Sequence, residues 1–353
     1  MKEGEWMQTC NLCTTTTPII PEGYLYLKVR QSELKQKVLD LTYHCKMKVN
    51  SKNEVVSAYF SDWQQLERIV SMTQSSLLDD EIDQIEGSIC DCHQDVYSFD
   101  YIPLTQLTLR VMNPELLRVI DDRLFHSLMQ PIVYADTESI YGYEFLLRPK
   151  SQLYTFIPGE LFAFAHHTGL QAKLDSDARI QSIRTGSLML EKGIKRFINF
   201  LSSSISEPEH CLKSTFQAVK DYRVDPEDLV FEVVETERVL NINHLKEIFH
   251  EYRKFGMKVA LDDIGARFST LEVLRELQPN YAKVDKHLVR NCHQDTAKLE
   301  QIMKIHDEAK IIGTEIIAEG VETAEEWEAI KAYVDFGQGF FFGKPIKTPI
   351  KRG

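Results

Sequence analysis

Short apolar runs recur from Gln130 to the C-terminus, and longer stretches with helical spacing separate them. The runs FINFL (197–201), LVFEVVE (229–235), KVALDDI (258–264), YAKVDK (281–286) and EIIAEG (315–320) read as strands buried on both faces. Helical patterns fall at Pro158–Glu191, Glu209–Tyr222, Arg238–Phe255, Ser269–Leu277, Thr296–Ile311 and Ala324–Val334. Strands and helices in alternation predict parallel βα units. Gly193, Gly256 and Gly313 each follow a helical run and precede a strand, where a C′ glycine is favoured. The first pair differs: QPIVYAD (130–136) and YGYEFLLRP (141–149) are joined by TESI alone, which is hairpin spacing. The fold class predicted is therefore α/β, a (β/α)₈ barrel whose first strand is antiparallel.

Residues 1–112 lack this alternation. YLYLKV (24–29) reads as a strand, SELKQKVLDLTYHC (32–45) as a helix, and WQQLERIVSMTQSSLL (63–78) as another helix. Between the helices, KMKVN and EVVSAYF flank Ser51-Lys52-Asn53 as a hairpin. A small α+β domain over 1–112 followed by a barrel over 113–350 is the expected division. Asn113-Pro114 opens a helix that leads into the barrel's hairpin.

Composition narrows the partners. A chain of 353 residues with a net charge of −12 and a pI near 5.5 argues against nucleic-acid duplexes and anionic membrane surfaces. No run approaches the ~20 apolar residues of a membrane span, and MKEGEWMQTCNLC lacks a signal-peptide core. A cytoplasmic protein is expected. Seven cysteines, an odd count without an export signal, read as reduced thiols.

The predicted strands share one chemical feature: each carries an acid, amide or lysine near its C-terminal end. In a parallel barrel such residues converge on one mouth. Glu144, Asn199 and Glu232 each interrupt an apolar strand. Asp262-Asp263 ends VALDDIG, and two adjacent aspartates face one site only where the strand yields to a loop. The competing reading of that pair is a solvated, helix-capping turn. Lys283 in AKVD is costly to bury unless carboxylates pair with it; the alternative is a lysine snorkelling from a strand end. Glu319 and Glu322 in IIAEGVE lie at another strand end, where helix capping competes. Carboxylates crowded in this way repel unless cations neutralise them, and oxygen donors call for Mg²⁺ or Mn²⁺. A two-metal site for cutting a phosphate ester is the natural reading.

From about Gln130 to Ile346 the chain resembles the EAL-domain cyclic di-GMP phosphodiesterases, through QPIV, YGYEFLLR, FINF, FEVVE, VALDDIGARFSTL, YAKVDK, IIAEGVET and QGFFFGKP in that order. The resemblance implies a modified TIM barrel that hydrolyses cyclic di-GMP to linear pGpG with Mg²⁺ or Mn²⁺. It implies Glu144, Asn199, Glu232, Asp262, Asp263 and Glu319 as metal ligands. Lys283 and Asp285 would handle the nucleophilic water, and Gln338 its hydrogen-bond network. Gln130, Leu146 and Arg148 correspond to substrate-contacting positions, while Glu235 and Glu322 correspond to supporting ones. Arg267 stands where the family has a residue suited to positive φ, which bears on basal rate and regulation. A homodimer through the barrel is also implied. The rival readings are a silent receptor for cyclic di-GMP and a pure docking protein.

Outside this stretch, Cys10-x-x-Cys13 with Cys90-x-Cys92 has the format of a zinc site, although the second spacing is tighter than usual. Inert thiols are the alternative, and a regulatory role for this region rests on analogy alone.

Overall fold

The computed structural model describes residues 17–91, 100–233, 241–265 and 270–350. Two compact units emerge. The first takes its described residues from Met1–Leu124 and Pro149–Leu174, the second from Phe125–Arg148 and Asp175–Gly353.

Among its described residues the first unit contains five strands: β1 (Gly23–Val29), β2 (Lys48–Lys52), β3 (Val55–Phe60), β4 (Ile85–Cys90) and β5 (Ile102–Pro103), in sheet order β2-β3-β1-β4-β5. All their pairings are antiparallel. With helices Ser32–His44 and Trp63–Ser76 this is the split βαβ arrangement of ferredoxin-like folds. Period-2 alternation sends Leu25, Leu27 and Val29 of β1 into a core with Leu34, Val38, Leu66, Ile69 and Val70. Tyr26 goes to the opposite face, beside Val55 and Cys90. The Asp62 carboxylate caps the second helix, accepting the Gln65 N–H at 2.8 Å.

The helical stretch expected over Pro158–Glu191 is two helices, Pro158–His167 and Gln171–Met189. Gly169 lies between them with φ +70°, in the left-handed region that ends a helix at little cost to glycine. A Cβ there would meet the Gln106 side chain at 2.7 Å.

The second unit is built on β6 (Phe125–Tyr134), β7 (Ile140–Pro149), β8 (Lys195–Phe200), β9 (Leu229–Val233), β10 (Lys258–Ile264), β11 (Tyr281–Val284), β12 (Glu315–Ala318) and β13 (Phe336–Gln338). These close into a barrel in the order β10-β11-β12-β13-β6-β7-β8-β9. Strand β6 runs antiparallel to β13, as the short TESI connection requires, and the pairs from β7 round to β13 are parallel. Among the described residues no helix is long and apolar enough to cross a membrane.

One layer of the barrel interior is filled by Ile132, Tyr141, Phe197, Val230, Ala260, Tyr281, Ile317 and Phe336. Each buried Ile, Val or Phe among them contributes on the order of 1.5–3 kcal/mol. This layer sets the position of the polar one. Two residues further along the strand, on the same face, come Asn199, Glu232, Asp262, Lys283, Glu319 and Gln338. On the reversed strand β6 the corresponding residue is two positions back, Gln130. Only β7 departs from this spacing, with Glu144 three residues beyond Tyr141.

Candidate metal centre at the barrel mouth

Lys283 lies at the heart of the polar layer and is 1% exposed. Its Nζ stands 2.5 Å from Glu319 Oε1, 3.0 Å from Glu232 Oε2, 3.5 Å from Asp262 Oδ1 and 3.7 Å from Glu144 Oε2. Burial works against its charge, but these four carboxylates outweigh it and hold the ammonium well above the ordinary lysine range. This is no snorkelling lysine. Desolvation pushes the Glu232, Asp262 and Glu319 carboxyls upward, each against the pull of Lys283, and neighbouring acids add to the rise.

Glu144 is bridged on both sides. Its Oε1 accepts from Asn199 Nδ2 at 2.9 Å and its Oε2 from Gln338 Nε2 at 2.6 Å. Gln338 Nε2 also lies 3.5 Å from Gln130 Oε1, and Gln130 donates to the Gly343 carbonyl at 3.3 Å. Side chains of β6, β7, β8 and β13 are thereby tied into one rim. Leu146 and Arg148 follow Glu144 at period 2 and are half-buried; Arg148 Nη1 donates to the Leu147 carbonyl at 2.7 Å.

The paired aspartates are aimed in a way the sequence pattern does not disclose. Strand β10 does not give way to a loop at Asp262; it continues to Ile264. The register against β11 shifts between Leu261 and Ile264, and Asp263 takes φ +54°. A bulge with a left-handed residue brings neighbouring side chains towards one site, and aspartate tolerates that region better than most residues. Asp263 hydrogen-bonds Asp285, and its carboxyl is pushed up to about 7 by burial, by Asp262 and by that bond. Asp285 also accepts the His287 N–H at 2.6 Å, capping the turn Lys286–Val289. The capping reading of the aspartate pair fails, since Thr270 caps the following helix.

Carboxylate oxygens of Asp262, Asp263 and Glu319 all lie within 4.8 Å of one another. Glu232 Oε1 and Gln338 Oε1 are buried and lack hydrogen-bond partners. Buried acceptors left open beside clustered oxygens fit a hard divalent cation, because a hydrogen bond is costly to forgo.

Other expected residues lie apart from this centre. Glu322 faces Arg290, with 2.5 Å between Oε1 and Nη1, and its N–H goes to Glu326; Thr323 and Glu326, not Glu322, form the capping box. Cys90 is buried with its thiol 3.6 Å from Asp91 Oδ1. Glu235, Arg267, Cys10, Cys13 and Cys92 fall outside the described residues.

Residues 114–345 match the EAL domain family. A probable cyclic di-GMP phosphodiesterase of Escherichia coli, PdeG, is 29% identical over 239 residues, which cover 65% of this chain and 46% of that protein. The chain spans less than half the length of the curated relatives it matches first. A standalone EAL protein of Vibrio cholerae, solved in its c-di-GMP-bound form, is 31% identical with a TM-score of 0.57, covering 64% of this chain and 93% of that one. BlrP1 of Klebsiella pneumoniae covers 93% of this chain and 97% of its own at a TM-score of 0.58; its 20% identity speaks to the fold alone.

Proposed function

Because this chain belongs to the EAL domain family, we propose that it is a phosphodiesterase hydrolysing cyclic di-GMP to linear pGpG. The observation that carries this reading is the polar layer at the mouth, where Glu144, Asn199, Glu232, Asp262, Lys283, Glu319 and Gln338 are held side by side above an apolar floor. The names of the curated relatives and the ligand of the Vibrio cholerae protein support the choice of substrate. Mg²⁺ or Mn²⁺ held by Glu144, Asn199, Glu232, Asp262, Asp263 and Glu319 would supply Lewis acidity at the phosphate and lower the pKa of a water.

The chain's own residues do the rest. Gln130, Leu146 and Arg148 position the dinucleotide at the rim, and the Arg148 guanidinium is suited to a phosphate oxygen. Gln338 Oε1, open in the buried layer, accepts a hydrogen from the attacking water. Lys283 places positive charge beside it, and Asp285 takes up its proton. In-line attack at phosphorus expels the ribose 3′-oxygen and leaves a 5′-phosphate. Glu235 and Arg267 would support the loop after the aspartate pair, Glu322 holds Arg290 outside the mouth, and residues 1–112 would regulate a barrel that works as a homodimer.

The test is turnover of cyclic di-GMP by the purified chain with Mg²⁺ or Mn²⁺, with pGpG followed by chromatography. In Glu144→Ala turnover should fall about a thousandfold or more, in keeping with the several kcal/mol a metal centre supplies. Full activity in that variant would overturn the ligand assignment. Tight binding without turnover by the unaltered chain would replace hydrolysis with a receptor role.

A further inference from the structure

We infer that Asp175 is a positioning residue for Asn199, acting through the backbone turn that ends β8; the inference rests on the metal-centre reading above. Asp175 belongs to the helix Gln171–Met189, outside the barrel, and is 1% exposed. Its Oδ1 accepts the Leu201 N–H at 3.1 Å, and its Oδ2 accepts the Ser204 hydroxyl. These contacts span the turn Ser202–Ser204, with Leu201 just before it and only two residues beyond Asn199. Ser204 Oγ also lies 2.7 Å from the Leu201 carbonyl, so its one hydrogen is shared between that oxygen and Asp175 and the clamp closes on itself.

A buried carboxylate is expensive unless it is paired. Here the partner is Arg179, one helical turn on and 2% exposed, whose Nη1 meets Asp175 Oδ2. Arg179 Nε is fixed in turn by Thr215 Oγ1 at 3.2 Å. A helix can therefore dictate where β8 stops. The consequence is local: Asn199 Nδ2 reaches Glu144 Oε1 at 2.9 Å only with β8 in this register. An outward slip of the turn would withdraw the amide from the acids while leaving the apolar layer beneath, including Phe197, in place.

Such outer partners commonly govern metal affinity by about 10–100-fold. The experiment uses the full chain and measures Mn²⁺ binding directly, through the spin-resonance signal of free Mn²⁺, alongside the Tm of the metal-free protein. Asp175→Asn keeps an acceptor for Leu201 but presents an amide where Ser204 and Arg179 need a carboxylate. Its Mn²⁺ dissociation constant should rise about tenfold, and that of Ser204→Ala should rise by a smaller factor. Thr314→Val, which removes a buried bond to the Pro279 carbonyl far from β8, should lower Tm and leave Mn²⁺ binding alone. If Asp175→Asn does not fold, Ser204→Ala decides. Unchanged Mn²⁺ affinity in the clamp variants, or an equal loss in Thr314→Val, would reduce the clamp to a purely structural role. Normal Mn²⁺ binding by Glu144→Ala would instead sink the metal-centre reading itself.

Discussion

The two interior layers of the barrel stand on the same strands two residues apart, yet they solve opposite problems. In the lower layer the polar groups are paired within the protein: the Tyr141 and Tyr281 hydroxyls meet at 2.5 Å and the surrounding rings pack against one another. In the upper layer four carboxylates share a single ammonium, and two buried oxygens have no hydrogen-bond partner. The lower layer holds the strands together. The upper layer leaves coordination capacity for something that arrives later. A barrel thus separates stability from chemistry by one step of the β-repeat.

Lys283→Met should break the contrast hardest. Removing the ammonium that meets four carboxylates is expected to cost the metal-free protein about 3–5 kcal/mol, read as a lowered urea midpoint. Saturating Mg²⁺ should restore part of it, because a bound cation replaces the missing charge. A variant as stable as the parent without metal would mean that Lys283 does not hold the acids together. The matching change in the lower layer is Tyr141→Phe. It removes one bond of the Tyr281 hydroxyl, which keeps its bond to Glu315, and should cost about 0.5–1.5 kcal/mol, with the Mg²⁺ requirement unchanged. A shifted Mg²⁺ requirement would show that the layers are coupled.

A third contrast concerns pH. Asp263 is held at about 7, well above the ordinary carboxylate range. The folded metal-free protein therefore binds a proton that the unfolded chain has already released. Its stability should fall as pH rises from about 4 towards 7. The raised Glu232, Asp262 and Glu319 act in the same direction. Metal and proton compete for these oxygens, so Mn²⁺ affinity should climb across the same window. Flat stability of the metal-free protein over that window would refute the raised carboxyl of Asp263.

Much of this site is legible in the sequence because it obeys the β-repeat. Glu144, Asn199, Glu232 and Lys283 stand out as polar residues inside apolar strands, and their neighbours fix which way they face. What remains hidden depends on backbone geometry or on contacts distant in sequence. Nothing in VALDDIG marks Asp263 for positive φ, since aspartate also adopts the ordinary β region. Residue spacing also conceals that Lys283 meets four acids, because three come from other strands and Glu319 from just past the end of β12. Asp175 and Arg179 do carry a signal, opposite charges four apart on a predicted helix. That signal usually marks a solvated face, and only the fold buries it. The first unit's strand order likewise depends on β1 lying between β3 and β4, a pairing beyond the reach of local patterns.

The reversed course of β6 has a practical use. Because β6 descends and β7 climbs, their hairpin at residues 135–139 hangs from the end of the barrel opposite the mouth, with Asp136 and Thr137 exposed. Trp327 Nε1 donates to Glu138 Oε1 at 3.1 Å and steadies the loop from beneath. A fluorophore or surface tether attached through Thr137 would anchor this unit by its base, with the mouth pointing into solution. Ligand capture could then be followed on an immobilised protein without the attachment chemistry touching a single rim residue.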